Sequence, residues 1–189
     1  EKFDDASVAQ SLCGIAISQK GTGFNKNLCP FLERWKGKTT MSQTQDTSVI
    51  LVCAGNATRM QGKNKILLPL GDTNVIGMSM RAFEACPRVA EIIVVARPAD
   101  HDAIRETAEQ CGITKFHAIV AGGSTRQESV MCGLRALSKG TTMIAVHDGA
   151  RPLVKTEQIA QVIQDASVFG GATLGVPVKD TIKVVNDRL

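Results

Sequence analysis

From Ser48 onward the chain alternates between short apolar runs and longer stretches whose apolar residues recur every three or four positions. SVILVCA (48–54) predicts a strand buried on both faces of a sheet, because no polar residue breaks its apolar run. A helix follows near Thr73 to Cys86, with Ile76, Met80 and Phe83 on one stripe, Asp72 or Thr73 as cap and Pro87 as stop. EIIVVA (91–96) is a second strand. DHDAIRETAEQCG then places Ile104, Ala108 and Cys111 at i, i+4 and i+7, ending at Gly112. FHAIVAGG predicts a third strand that runs into a glycine pair.

The next helix spans about Ser124 to Ser138, opened by a capping box of Ser124 and Gln127 and carrying a stripe of Val130, Leu134 and Leu137. TMIAVHDGARP (142–152) is a strand that ends in polar residues. Ile159, Val162, Ile163 and Ala166 give the helix from Thr156 to Phe169 its buried stripe. GATLGVPV (171–178) reads as the last core strand, and TIKVV as the start of another extended segment.

This alternation predicts an α/β fold: a mostly parallel sheet with helices on both faces. Ligands of such sheets sit beyond the carboxyl ends of the strands. The polar clusters GNATRM, GGSTRQES and HDGARP each follow a predicted strand, so all three converge on one rim. Residues 1–46 lack a sustained period of 2 or 3.6 and read as an irregular N-terminal extension beside a domain over 47–189. The chain opens on Glu1, and Met41 precedes the polar SQTQDTS; Met41 is the expected natural start, with the first forty residues foreign to the domain.

Composition narrows the function classes. With 43% apolar and 21% charged residues the sequence is of the globular type, and a net charge of +4 without a basic run gives little support to a nucleic-acid or membrane partner. Aromatics are 4%, with no Tyr, which argues against base-stacking binders. The six cysteines form no C-x-x-C pair and read as buried or incidental thiols of a reducing cytoplasm. No apolar run reaches membrane-spanning length, and EKFDDASVAQ is not a secretory signal.

The first cluster is neither a P-loop nor a dinucleotide fingerprint. Six residues separate Gly55 from Gly62, Asn64 follows Lys63, and Ala57 stands where a second glycine belongs. Gly55 still permits close backbone approach, and Arg59 and Lys65 add positive charge, a combination that suits phosphate; a solvated basic loop is the plain alternative. In HDGARP, Asp148 at a strand end is a natural Mg2+ ligand and Arg151 a second anion contact, the alternatives being a helix cap and a surface ion pair. His147 has no Cys or second His near it in the sequence and reads as structural. Gly122 and Gly123 allow a tight turn, and Ser124 at a helix start offers amides to an anion or a base edge, although capping alone explains it. No G-x-S-x-G context supplies a nucleophile.

CAGNATRM with KNKILLPLG, AGGSTRQESV, VHDGARP and PVKDTIK, in that order from about Ser48 to Lys183, resemble the 2-C-methyl-D-erythritol 4-phosphate cytidylyltransferases of non-mevalonate isoprenoid biosynthesis. The resemblance implies a Rossmann-like nucleotidyltransferase fold in a cytoplasmic homodimer. It implies transfer of a cytidylyl group from CTP to the polyol phosphate with Mg2+, releasing pyrophosphate. By position, Arg59 and Lys65 correspond to the catalytic pair at the α-phosphate. Ala54, Gly55, Gly123, Ser124, Ser129, Asp148 and Gly149 fall where the family holds nucleotide, Asp148 on the metal side. Arg151 and Thr181 match contacts to the polyol phosphate, Thr181 across the dimer. Asn56-Ala57-Thr58 departs from a loop richer in Gly and Arg, and the family continues past the position of Leu189. The sequence therefore reads as C-terminally truncated, with little activity expected. A ribitol-5-phosphate cytidylyltransferase and a catalytically inert nucleotide-binding fragment are the alternatives.

Overall fold

The computed structural model describes residues 45–55 and 64–175, together with the backbone of residues 16–19. Arg59, Thr181, the TIKVV segment, Cys13, Cys29, Trp35 and Met41 lie outside the described residues. In chain order the strands are β1 (Ala16–Gln19), β2 (Thr47–Val52), β3 (Pro69–Leu70), β4 (Thr73–Asn74), β5 (Val89–Ala96), β6 (Phe116–Ala121), β7 (Met143–Asp148) and β8 (Gly171–Thr173). The helices are α1 (Val75–Glu84), α2 (His101–Gln110), α3 (Arg126–Arg135) and α4 (Thr156–Phe169).

Among the described residues the main sheet has the order β6-β5-β2-β7-β1-β8, and β3 and β4 form a separate ribbon. β6, β5, β2 and β7 are parallel. β1 runs antiparallel to both β7 and β8, so one short strand does arise within the stretch that shows no period. From β2 the chain moves outward to β5 and β6, then returns to place β7 on the other side of β2. The strand order thus reverses between β2 and β7, where a doubly wound sheet opens its crevice.

Alternation within the central strands explains the layers. Val49 and Leu51 of β2, with Ile92 and Val94 of β5, join Ile76, Phe83, Ile104 and Ile163 in one buried cluster, so α1, α2 and α4 cover that face. Ile50 and Val95 point the other way and meet α3 at Gly133, where a Cβ would collide with both side chains. The predicted stripes of α1 and α4 are buried as expected. In α2, Ile104 and Ala108 are buried, while Cys111 is half-buried.

The α3 stripe is a correction. Val130, Leu134 and Leu137 are only half-buried, and the small residues Ser129 and Gly133 make the buried face. Two caps also shift. Asn74 caps α1 by accepting from the Gly77 amide, whereas Thr73 pairs in the ribbon and Asp72 binds Arg81 at 2.7 Å. Thr125 and Glu128, rather than Ser124 and Gln127, form the capping box of α3. GATLGVPV is not a core strand over its described part: β8 stops at Thr173, and both Gly171 and Thr173 are exposed. Leu153, Val168 and Phe169 are exposed apolar side chains. No helix among the described residues is long and apolar enough to cross a membrane.

Candidate functional site

A cleft of about 600 Å³ opens over the carboxyl ends of β2 and β7, at the point where the strand order reverses. Three segments wall it. Ala54 and Gly55 continue β2, joined by Asn64 and Lys65; Gly123 to Arg126 come from the β6–α3 turn; Asp148, Ala150 and Arg151 leave β7. Among the described residues, GGSTRQES and HDGARP converge on the cleft as expected, joined by Gly55; the rest of GNATRM lies outside the described residues. Of the predicted residues, Ala54, Gly55, Lys65, Gly123, Ser124, Ser129, Asp148 and Arg151 line the cleft. Gly149 does not; it is buried behind the wall.

Close backbone packing aligns these segments. A Cβ on Gly122 would collide with Ala54, so only glycine lets the β6–α3 turn rest on the end of β2. Gly149 is held likewise: a Cβ there would meet the Cys53 sulfur, its amide donates to Val52 O at 3.1 Å, and its carbonyl accepts from Ser79 Oγ at 2.8 Å. Cys53 is a buried thiol pushed up to about 12, by burial first and then by the Asp148 and Asp100 charges, so it stays protonated and inert.

The α3 N-terminus departs from the expected anion site. The Glu128 carboxylate accepts from the Ser124 amide and hydroxyl, each at 2.6 Å, and from the Thr125 amide at 3.3 Å. Those amides already hold an anion, the helix's own side chain. Ser124 hydrogen bonds hold the Glu128 carboxyl below its ordinary range, with the Ser124 and Thr125 amides adding to the effect. Ser129 is equally committed, donating to Thr125 O and accepting from the Gly123 amide. It shapes the turn from below.

Asp148 is the one carboxylate on the described cleft wall. Its Oδ2 accepts from Arg151 Nε at 2.9 Å and its Oδ1 from Arg126 Nη2 at 3.0 Å. Burial works against its charge, yet the hydrogen bonds from Arg151 and Arg126 outweigh it and keep the carboxyl below its ordinary value. The ion-pair alternative therefore describes Arg151 as it stands here, with Asp148 as its partner. His147 is structural, as expected: it is buried beside Phe83, with ring centroids 5.1 Å apart, and its Nε2 lies 3.1 Å from Arg151 O. Burial lowers its pKa, which favours the neutral ring as donor to that carbonyl.

Lys65 opens a 3-10 turn, Lys65–Leu67, that Asn64 caps by accepting from the Ile66 amide. The Lys65 side chain is exposed at the cleft, while Asn64 Nδ2 is a buried donor with no partner among the described residues. The sequence reading missed Asn64 and Arg126. Arg126 stands in the GGSTRQES cluster itself, and its place beside the helix start was the available signal.

Comparisons with known proteins agree with the geometry. The family model of 2-C-methyl-D-erythritol 4-phosphate cytidylyltransferase matches residues 47–189. The enzyme of that name from Pelotomaculum thermopropionicum is 42% identical over 139 residues, covering 72% of this chain and 58% of the relative. That from Caldanaerobacter subterraneus is 40% identical over 144 residues, covering 75% and 63%. The chain thus spans about three-fifths of the length of these relatives. The crystal structure of 4-diphosphocytidyl-2C-methyl-D-erythritol synthase from Anaerococcus prevotii superposes with a TM-score of 0.61 at 25% identity, covering 76% of this chain and 60% of that one. A second synthase of that name superposes at 0.60 with 27% identity, covering 77% and 66%. With one family model matching everything from β2 to the last residue, the chain belongs to the 2-C-methyl-D-erythritol 4-phosphate cytidylyltransferase family.

Proposed function

We propose that the protein transfers the cytidylyl group of CTP to 2-C-methyl-D-erythritol 4-phosphate and releases pyrophosphate, and that the described cleft is the nucleotide half of that site. The observation that carries this reading is the meeting of Gly55 and Lys65, the Gly123–Arg126 turn, and Asp148 with Arg151 in one cleft at the switch point of the sheet.

The reaction joins two anions. A phosphate oxygen of the acceptor attacks the α-phosphorus of CTP in line, and pyrophosphate departs from the opposite side. No covalent intermediate is needed, so the protein's task is to align the reactants and offset their repulsion. Lys65, with Arg59 six residues before it in the sequence, stabilises negative charge as it develops at the α-phosphate. Gly55 lets the nucleotide approach the backbone at the end of β2. Arg151 holds the acceptor phosphate on the β7 side, and Thr181 contacts the same group from a partner subunit of a homodimer. The turn at Gly123 and Ser124, its amides taken up by Ser129 and Glu128, meets the nucleoside rather than a phosphate.

Mg2+ fits the donor set. A single carboxylate, Asp148, stands on the wall among cations and backbone donors, and Mg2+ commonly takes one or two carboxylates with phosphate oxygens and water. Asp148 would hold it, and the ion would neutralise triphosphate charge.

Calorimetric titration with CTP and Mg2+, paired with pyrophosphate release on methylerythritol phosphate and on ribitol 5-phosphate, tests the proposal. We expect Mg2+-dependent CTP binding and preference for the branched tetritol phosphate. Failure to bind CTP overturns the nucleotide reading; preference for the ribitol ester overturns the acceptor.

A further inference from the structure

Arg126 and Arg151 grip the two oxygens of Asp148 from opposite sides of the cleft. Arg126 is the first residue of α3, held at the rim by the Thr125–Glu128 capping box, and reaches across to β7. Arg151 belongs to the turn after Asp148 itself, and His147 fixes that turn through the Arg151 carbonyl. The two contacts differ in character. The Arg151 contact is local, three residues apart, whereas the Arg126 contact joins segments 22 residues apart and spans the mouth of the proposed nucleotide site.

Three features mark the Arg126 contact as exchangeable. Its side chain is 56% exposed, and exposed arginine–carboxylate pairs contribute only about 0–1 kcal/mol. A guanidinium binds phosphate oxygens with the same planar donor geometry it offers a carboxylate, so a triphosphate competes for it directly. The neighbouring helix amides are closed to a phosphate by Glu128, which leaves the Arg126 guanidinium as the cation this turn presents to the cleft.

We propose that Arg126 is a triphosphate-binding residue that latches Asp148 until nucleotide arrives. An entering triphosphate takes over its guanidinium and frees Asp148 Oδ1. Before that exchange, Arg126 disfavours a divalent cation on Asp148, both because it occupies Oδ1 and because two positive groups would share one carboxylate. Nucleotide and cation therefore bind cooperatively, and Arg126 is the coupling element. This rests on the nucleotide reading above and adds to it an assigned residue and an order of events.

Mn2+ binding to the whole chain, followed by electron paramagnetic resonance with and without CTP, tests the latch. Arg126→Gln is expected to bind Mn2+ up to about fivefold more tightly than wild type without nucleotide, the release of one exposed ion pair. Its CTP affinity, read calorimetrically without metal, should fall severalfold. Arg126→Lys, which keeps the charge, should lie between. Asp148→Asn should abolish Mn2+ binding in both backgrounds. Unchanged or weaker Mn2+ binding in Arg126→Gln, with CTP binding normally to wild type, overturns the latch and leaves the nucleotide site standing. Absence of CTP binding in wild type removes both.

Discussion

Glu128 lies one helical turn past Ser124 and accepts both its amide and its hydroxyl at 2.6 Å, so α3 begins with its anion site already filled. Glu128→Ala removes that carboxylate and leaves the Ser124 and Thr125 amides without their partner. We expect a lower melting temperature and a weaker CTP titration, because the turn against Ala54 loses its brace. Thermal scans beside calorimetry check this; an unaltered CTP titration would show that the turn is braced by Ser129 alone.

Gly149 meets Cys53 where the two central strands end. Gly149→Ala forces a methyl group into the Cys53 sulfur and Ile76, and overpacking of this kind typically costs about 1–3 kcal/mol. Cys53→Ala opens the space, so the double variant should recover part of the loss. Urea unfolding of the four proteins measures the coupling, and strict additivity would place the strain elsewhere.

At the opposite end of the sheet, the buried Glu91 carboxylate accepts from Ser48 Oγ at 2.6 Å, Ser138 Oγ at 2.6 Å, the Ser138 amide at 3.0 Å and Thr141 Oγ1 at 3.2 Å. Burial raises its pKa, but the Ser138 and Ser48 hydroxyls, the Ser138 amide and the nearby His117 together bring it below the ordinary value. A depressed carboxyl stabilises the fold above its unfolded pKa, about 4.3, and that contribution is lost as pH falls through the folded value. Glu91→Gln should flatten the acid limb of stability and cost about 1.5–3 kcal/mol near neutrality, the range for one hydrogen bond to a charged group. Denaturant midpoints over a pH series decide it; parallel curves for the two proteins would contradict the assignment.

His147 acts on the same axis at higher pH. Burial depresses its pKa, so the folded chain disfavours the imidazolium. Its contribution is complete above the unfolded value of about 6.5 and declines as pH falls through the folded one. His147→Gln keeps a donor toward the Arg151 carbonyl and cannot titrate. Its stability should be less steep between about pH 7 and pH 5 than that of wild type. An equal slope in both would assign the titration to other groups.

Lys65→Ala, assayed by pyrophosphate release, should lower kcat by about 10²–10³ while the KM for CTP changes little. That is the pattern of an interaction formed mainly in the transition state. A rise in KM alone would make Lys65 a ground-state phosphate clamp.

Much of this architecture was legible without coordinates. The spacing of Ile76, Met80 and Phe83, and of Ile159, Val162, Ile163 and Ala166, is enough to define the buried faces of α1 and α4, because large apolar side chains at helical period have one way to leave water. SVILVCA reads as a strand covered on both sides, and each polar cluster following a strand had to gather at the carboxyl edge. Other features depended on distances between remote segments. Whether Ser124 or Thr125 caps α3 rests on which oxygen reaches an amide, a matter of ångströms that neighbouring cap-forming residues do not reveal. The buried face of α3 is Ser129 and Gly133 because the helix lies close enough to touch Ile50 and Val95, and close approach selects small residues, which carry no hydrophobic period. A four-residue strand such as β1 is too short to show a period at all; only its partners β7 and β8 reveal it. Asp148 and Arg126 meet because the return from β6 to β7 carries α3 back across the sheet, bringing a charge pair across the cleft that neither local pattern contains.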